Sequence, residues 1–354
     1  MIEEIFKKLF NKISDNYIFI YTPPKVGSTT LVSSLRISLG SNYNVIHIHD
    51  DVMLHVLSGY NNVTVNDMIN YISQKGKKIY IIDVYREPIE RKMSEFFEKI
   101  SCYHFNNTEE NINKYSIKRV TDRFNKLFPH LSKEEHYFDK YDISNPPLFD
   151  FNKKYTIQIL NGIKYIKLRL IDSPMWGKIL CEIFNRNIVI INDYQTNNKV
   201  IGELYRKFKE EYKIPYNYLE LIKNCKYFNF YLSEQERNEY INKWQNRMID
   251  NFTPYTTDEY KLYVSIYLEN QIYNDIQFDH YIDSGCECTH CKIKRKNVFI
   301  KAHNGEQITE KIIHNEVINE TNTKKNDMLL KLITKIKSNN KKNKNNNKFT
   351  LYKK

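Results

Sequence analysis

Lys25-Val26-Gly27-Ser28-Thr29-Thr30 is the stretch whose residue types and spacing point most directly to chemistry. It follows an apolar run and precedes Leu31, Val32 and Leu35 at helical spacing, which sets it where a strand gives way to a helix N-terminus. Such a junction binds anions. Unpaired N–H groups and the positive end of the helix dipole point into it, Gly27 lets the backbone come close, and Lys25 adds a full charge. The expected ligand is phosphate-like; the plainer alternative is a lysine and some hydroxyls in an ordinary loop. A second junction, VYREPIERKMSEFF (84–97), carries Arg86, which offers a planar fork of donors, and Ser94, about two turns into a helix opened by Pro88. Read by itself it is equally a charged helix start, with Glu87 and Glu90 complementing the dipole. Between the two lie proton-carrying groups: His47 and His49 in NVIHIH, then Asp50 and Asp51. Strand alternation puts both histidines on one face, so they are catalytic or buried together, while the two aspartates also suit helix capping.

The elements that must position these groups follow from periodicity. Tyr17 to Tyr21 is aromatic and β-branched, reads as a buried strand, and is ended by Pro23 and Pro24, which have no N–H for a sheet ladder. Asn44 to His49 is a second strand. Thr64-Val65-Asn66-Asp67 has the form of a capping box and opens a helix that Gly76 stops. Lys78 to Tyr85 (KIYIIDVY) reads as the central strand. Strand, helix, strand, helix, strand over about 85 residues implies right-handed crossovers and a parallel sheet, hence an α/β fold. An N-terminal helix is expected to pack Ile2, Ile5, Phe6 and Leu9 on this domain. Residues 101–150 read as polar helices with a loop at Asn145-Pro146-Pro147, the expected place for acceptor recognition. Further strands are expected at 155–159, 165–170 and 187–191, with helices at 175–184, 200–212, 216–225 and 234–244, the last capped by Ser233 with Glu236.

The chain has 354 residues and a formal charge of +12, but residues 324–354 hold eleven lysines against one acid, Asp327. The charge describes a tail, so the folded part gives no general argument for nucleic-acid binding. Three parts are expected: an α/β domain at 1–250, an extension at 251–319 and a Lys/Asn-rich, disordered tail at 320–354. No apolar run reaches the about 18 residues of a membrane span, and the first residues do not resemble a secretory signal, so a soluble, cytoplasmic protein is expected. Six cysteines fit reduced thiols. Cys286, Cys288 and Cys291, with His290 among them, could form a zinc site, but only Cys288 to Cys291 has the CxxC spacing, and reduced structural cysteines are the expectation.

The nucleotide loop GxxxxGK[ST] places its lysine after the second glycine; here the lysine precedes a single glycine, which argues against an ordinary NTPase. As it stands, TPPKVGSTTL resembles the 5′-phosphosulfate loop of the sulfotransferases that use 3′-phosphoadenosine 5′-phosphosulfate (PAPS). With HIH and IIDVYREPIERKMSEFF it resembles carbohydrate sulfotransferases, especially the uronyl 2-O type, and sulfotransferase-like proteins of capsular polysaccharide synthesis. The resemblance covers residues 17–97 and is only suggestive at 165–172 and 226–236. It implies a P-loop-like sulfotransferase fold and PAPS as co-substrate, held by Lys25, Val26, Gly27, Ser28, Thr29 and Thr30 at its 5′ end and by Arg86 and Ser94 at its 3′-phosphate. It also implies a hydroxyl acceptor, a glycan, and His49 as general base, a role suited to neutral imidazole. Asp50 and Asp51 are the substitute bases. Lys25 would stabilise the leaving phosphate oxygen, and the transfer requires no metal. A nucleotide-dependent kinase or NTPase and a non-catalytic binding protein of the same fold are the alternatives.

Overall fold

The computed structural model describes residues 1–264 other than 11–12, 61, 106, 142 and 192–199. The cysteine cluster at 286–291 and the lysine-rich tail therefore lie outside the described residues. Tyr17–Tyr21 does form a buried strand, and Lys78–Tyr85 is the central one. The strand it belongs to, β1 (Asn16–Tyr21), has every residue after the first buried, flanked on one side by β2 (Tyr43–Ile48) and on the other by β3 (Lys78–Tyr85). β5 (Ile163–Arg169) lies beyond β3, and β4 (Tyr155–Leu160) closes the edge, giving the order β2-β1-β3-β5-β4. The first four strands in space are parallel and β4 is antiparallel.

That last pairing departs from the all-parallel expectation, for a local reason. Asn161 and Gly162 both have positive φ (49° and 79°) and join β4 to β5 as a two-residue hairpin turn, which matches the right-handed strand twist. The strand expected at 187–191 does not form. Residues there take their bonds from a helix instead: the N–H groups of Val189 and Ile191 donate to the hydroxyls of Ser38 and Ser34, one turn apart on α2 (Ser28–Leu39).

Alternation within the strands divides the core. One face of β1 (Ile18, Ile20) packs with Val45, Ile82 and Ile166 under α2 and α9 (Trp176–Phe184). The other (Tyr17, Phe19, Tyr21) packs under α1 (Ile2–Leu9), α3 (Asp51–Ser58) and α4 (Val65–Gln74). In α1, Ile5 and Leu9 are buried one turn apart. At about 1.5–3 kcal/mol per fully buried aliphatic side chain, that pair contributes to docking the helix. The α4 cap is the expected box: Thr64 accepts from the Asp67 N–H while Asp67 accepts from the Thr64 N–H.

A third cluster is mostly helical. It is built by α5 (Pro88–Glu98), α6 (Glu109–Ile112), α7 (Ile117–Leu127), α8 (His136–Asp139), α10 (Gly202–Glu211), α11 (Tyr216–Lys223), α12 (Lys226–Tyr231) and α13 (Glu234–Gln245), around Phe96, Phe124, Phe208 and Trp244. A π-helical turn at Ile100–Phe105 links α5 to α6. Residues 252–263 belong to the same cluster: the Tyr255 N–H donates to the Lys126 carbonyl, and the Tyr260 ring stacks on His130. Among the described residues no helix is long and apolar enough to cross a membrane.

Because β1 connects to β2 on one side and has β3 on the other, the strand order reverses between β1 and β3. Parallel sheets open a ligand crevice outside the carboxyl ends of their strands at such a point. The loop 22–27, Arg86 and His49 all follow strands that end there.

Candidate functional site

Thr22 is the knot of the crevice. It is fully buried, and its N–H donates to the Ile48 carbonyl at the end of β2. Its hydroxyl donates to Asp83 Oδ1 (2.9 Å) and accepts from the Val84 N–H (2.9 Å), both on β3. The residue thus ties the ends of three strands together. Two prolines carry the chain outward, and the turn closes through two left-handed residues, Lys25 (φ 68°) and Gly27 (φ 86°). Gly27 is required twice over. Its conformation strains any L side chain, and a Cβ there would stand 2.9 Å from Leu170 Cδ1 and 3.0 Å from the Trp176 ring. As N-cap of α2 it brings no side chain over the Ser28, Thr29 and Thr30 amides, and no acidic residue lies in that first turn. Val26 is buried beneath the turn and anchors it in the core.

Arg86 and the loop are in direct contact: Nη1 donates to the Lys25 carbonyl at 2.7 Å. The two anion-binding elements expected from sequence are therefore one structure. α5 forms its wall. Arg91 Nε reaches the Pro24 carbonyl (3.4 Å), Lys25 Nζ pairs with Glu98 Oε1 (3.0 Å), and Ser94 lies between them on the same helical face, at i, i+3 and i+7. Ser94 is buried. Two charged neighbours escaped the sequence reading. Glu98 is one; its position one turn beyond Ser94 was the available signal. Lys209 on α10 is the other: burial and then the positive field of Arg86 hold its ammonium below the ordinary lysine range.

His49 Nδ1 lies 2.7 Å from the Thr22 carbonyl oxygen. A carbonyl only accepts, so in the neutral ring Nδ1 carries the proton and Nε2 the lone pair. His47 shares the strand face, its ring edge-on to His49 at 4.5 Å between centroids. Its Nε2 is buried without a hydrogen-bond partner, and burial, with the positive fields of His49 and Arg36, holds its pKa well below the ordinary histidine value. His47 is thus a neutral neighbour. Asp50 caps α3 through the Met53 N–H (2.7 Å), and Asp51 accepts from the Val65 N–H at the start of α4 (2.8 Å). Both carboxylates hold helices in place.

Behind Thr22 lies a buried charged triad. Lys167 on β5 pairs with Asp83 (2.7 Å) and with Glu135, and all three are nearly inaccessible. Two carboxylates share one ammonium. Burial opposes ionisation of Asp83, but Lys167, His136 and the Thr22 hydroxyl keep its carboxyl below the ordinary range. At Glu135 burial prevails: despite Lys167, and with the field of Asp83 adding to it, its pKa is pushed up to about 8. His136 packs edge-on against Tyr21 (4.4 Å), and burial lowers its pKa to about 3.

No family model matches the chain, and no curated protein or solved structure does. Among the described residues no cluster of three or more His, Cys, Asp or Glu could hold a metal ion.

Proposed function

We propose that the chain is a sulfotransferase that moves the sulfuryl group of PAPS to a hydroxyl, on a carbohydrate as the resemblance of residues 17–97 suggests. The observation that carries this reading is the contact between Arg86 and the Lys25 carbonyl at the switch point of the sheet. It joins a helix N-terminus suited to one anionic group to an arginine whose remaining donors suit a second, as a donor with phosphate at both ends requires. The loop amides of Gly27 to Thr30 would receive the 5′-phosphosulfate, and Arg86 with Ser94 the 3′-phosphate.

In the transfer, the acceptor oxygen forms a bond to sulfur as the bond from sulfur to the phosphate oxygen breaks. The acceptor proton goes to His49 Nε2, and the electron pair of the broken bond stays on the phosphate oxygen, beside Lys25. Positioning and charge stabilisation supply most of the acceleration, as in phosphoryl transfer. The lysine-before-glycine order favours this donor over a nucleoside triphosphate with magnesium.

The test is transfer of label from [35S]PAPS to a panel of glycans, small alcohols and tyrosine peptides. Labelled glycan is the expected product. Label on peptide alone would overturn the carbohydrate assignment, and absence of transfer with the donor bound would make the chain a binding protein.

A further inference from the structure

A carboxylate is an unexpected neighbour for a lysine that is to receive an anion. Glu98 Oε1 nevertheless pairs with Lys25 Nζ at 3.0 Å, and with 11% and 24% of the two side chains exposed the pair is only partly screened by solvent. The contact spans 73 residues and is aimed by the fold. Arg91, two turns earlier on the same face, fastens α5 to the Pro24 and Glu134 carbonyls, while the left-handed backbone at Lys25 turns the loop. An anionic group resting on the α2 amides next to Lys25 meets Glu98 as a like charge at short range, where repulsion is strong.

We propose that Glu98 is a built-in competitor for Lys25. It keeps the ammonium oriented until an anion arrives, gives it up on binding, and takes it back when the product leaves. The proposal rests on the reading of this loop as the site of the donor's phosphosulfate. It makes Glu98 a positioning residue that sets donor affinity through Lys25, with no contact to the reacting atoms.

The experiment is calorimetric titration of the full chain with adenosine 3′,5′-bisphosphate, comparing wild type, Glu98→Gln, Lys25→Ala and the double variant. Glutamine keeps the size of the side chain and removes its charge. The expected result is binding tightened about three- to tenfold by Glu98→Gln, with no such gain when Lys25 is already alanine. A gain of affinity that vanishes with its lysine cannot come from loss of structure. Unchanged or weaker binding by Glu98→Gln, in a protein whose affinity still depends on Lys25, overturns the competitor alone; so does an equal gain in both backgrounds. Absence of bisphosphate binding in wild type and all variants removes the donor reading and the proposal together.

Discussion

His49→Ala is expected to bind adenosine 3′,5′-bisphosphate as wild type does and to lose turnover by about 10²- to 10⁴-fold, the range of a positioned general base. Binding should survive because the groups assigned to the donor, Lys25, the α2 amides and Arg86, are held by contacts that do not pass through the imidazole. Turnover should not, because the bond from Nδ1 to the Thr22 carbonyl fixes the tautomer with Nε2 as the proton acceptor. His49→Asn is the sharper variant. Its amide can still donate to Thr22, so the local structure is kept, yet it has no basic nitrogen. Equal loss in both variants assigns the effect to the base. If turnover survives both while Asp50→Asn or Asp51→Asn abolishes it, the base is a carboxylate; the amide oxygen of asparagine can still accept the helix-holding bonds of Asp50 and Asp51, so those variants are expected to change stability little.

The largest effect on stability is expected at Lys167. Its removal leaves Asp83 charged in the interior without its cation, a change that typically costs about 3–5 kcal/mol. Lys167→Ala should therefore show a much lower midpoint in denaturant, or no folded protein, whereas Lys167→Ala with Asp83→Asn should recover part of the loss. A single-variant loss below about 1 kcal/mol would mean that the triad does not organise the strand ends.

The triad also sets a pH dependence. The raised pKa of Glu135 means that the folded chain binds a proton the unfolded chain has released, so this contribution is full below the ordinary glutamate pKa and is lost as pH rises toward about 8. Asp83, held low, contributes above its ordinary pKa and loses that contribution as pH falls through its folded value. Stability followed by thermal melting should decline from mildly acidic to mildly alkaline pH, and Glu135→Gln should flatten that decline. A decline of the same slope in Glu135→Gln would assign it to other groups.

What the sequence made legible was local. Hydrophobic period, proline breaks and caps located β1, β2 and β3, and the Thr64/Asp67 and Ser233/Glu236 boxes form as written, each using residues three apart. The expectation at 187–191 failed because an apolar, β-branched run suits a strand and an extended segment over a helix equally, and only the placement of Ser34 and Ser38 decides. The antiparallel edge was written in Asn161-Gly162, whose turn chemistry joins the strands expected at 155–159 and 165–170 as a hairpin. Of the candidate site, the meeting of Arg86 with the Lys25 loop agrees with the motif order, since parallel strands end on one side. Glu98 and the triad were beyond local reading because their partners lie 73, 84 and 32 residues away. A hint existed even so: Asp83 is a charged residue inside the buried apolar run of β3, a pattern that calls for a partner on a neighbouring strand, and Lys167 stands opposite it on β5.

The central claim is that the loop at Lys25 and the arginine at the end of β3 hold one donor. Calorimetric titration with adenosine 3′,5′-bisphosphate, against ATP with magnesium, tests it most directly. The expected result is saturable binding of the bisphosphate that Lys25→Ala and Arg86→Ala each weaken by about tenfold or more, as loss of a charged hydrogen bond does, with ATP and magnesium failing to compete. Unchanged affinity in both variants, or binding of ATP with magnesium and not of the bisphosphate, would contradict it.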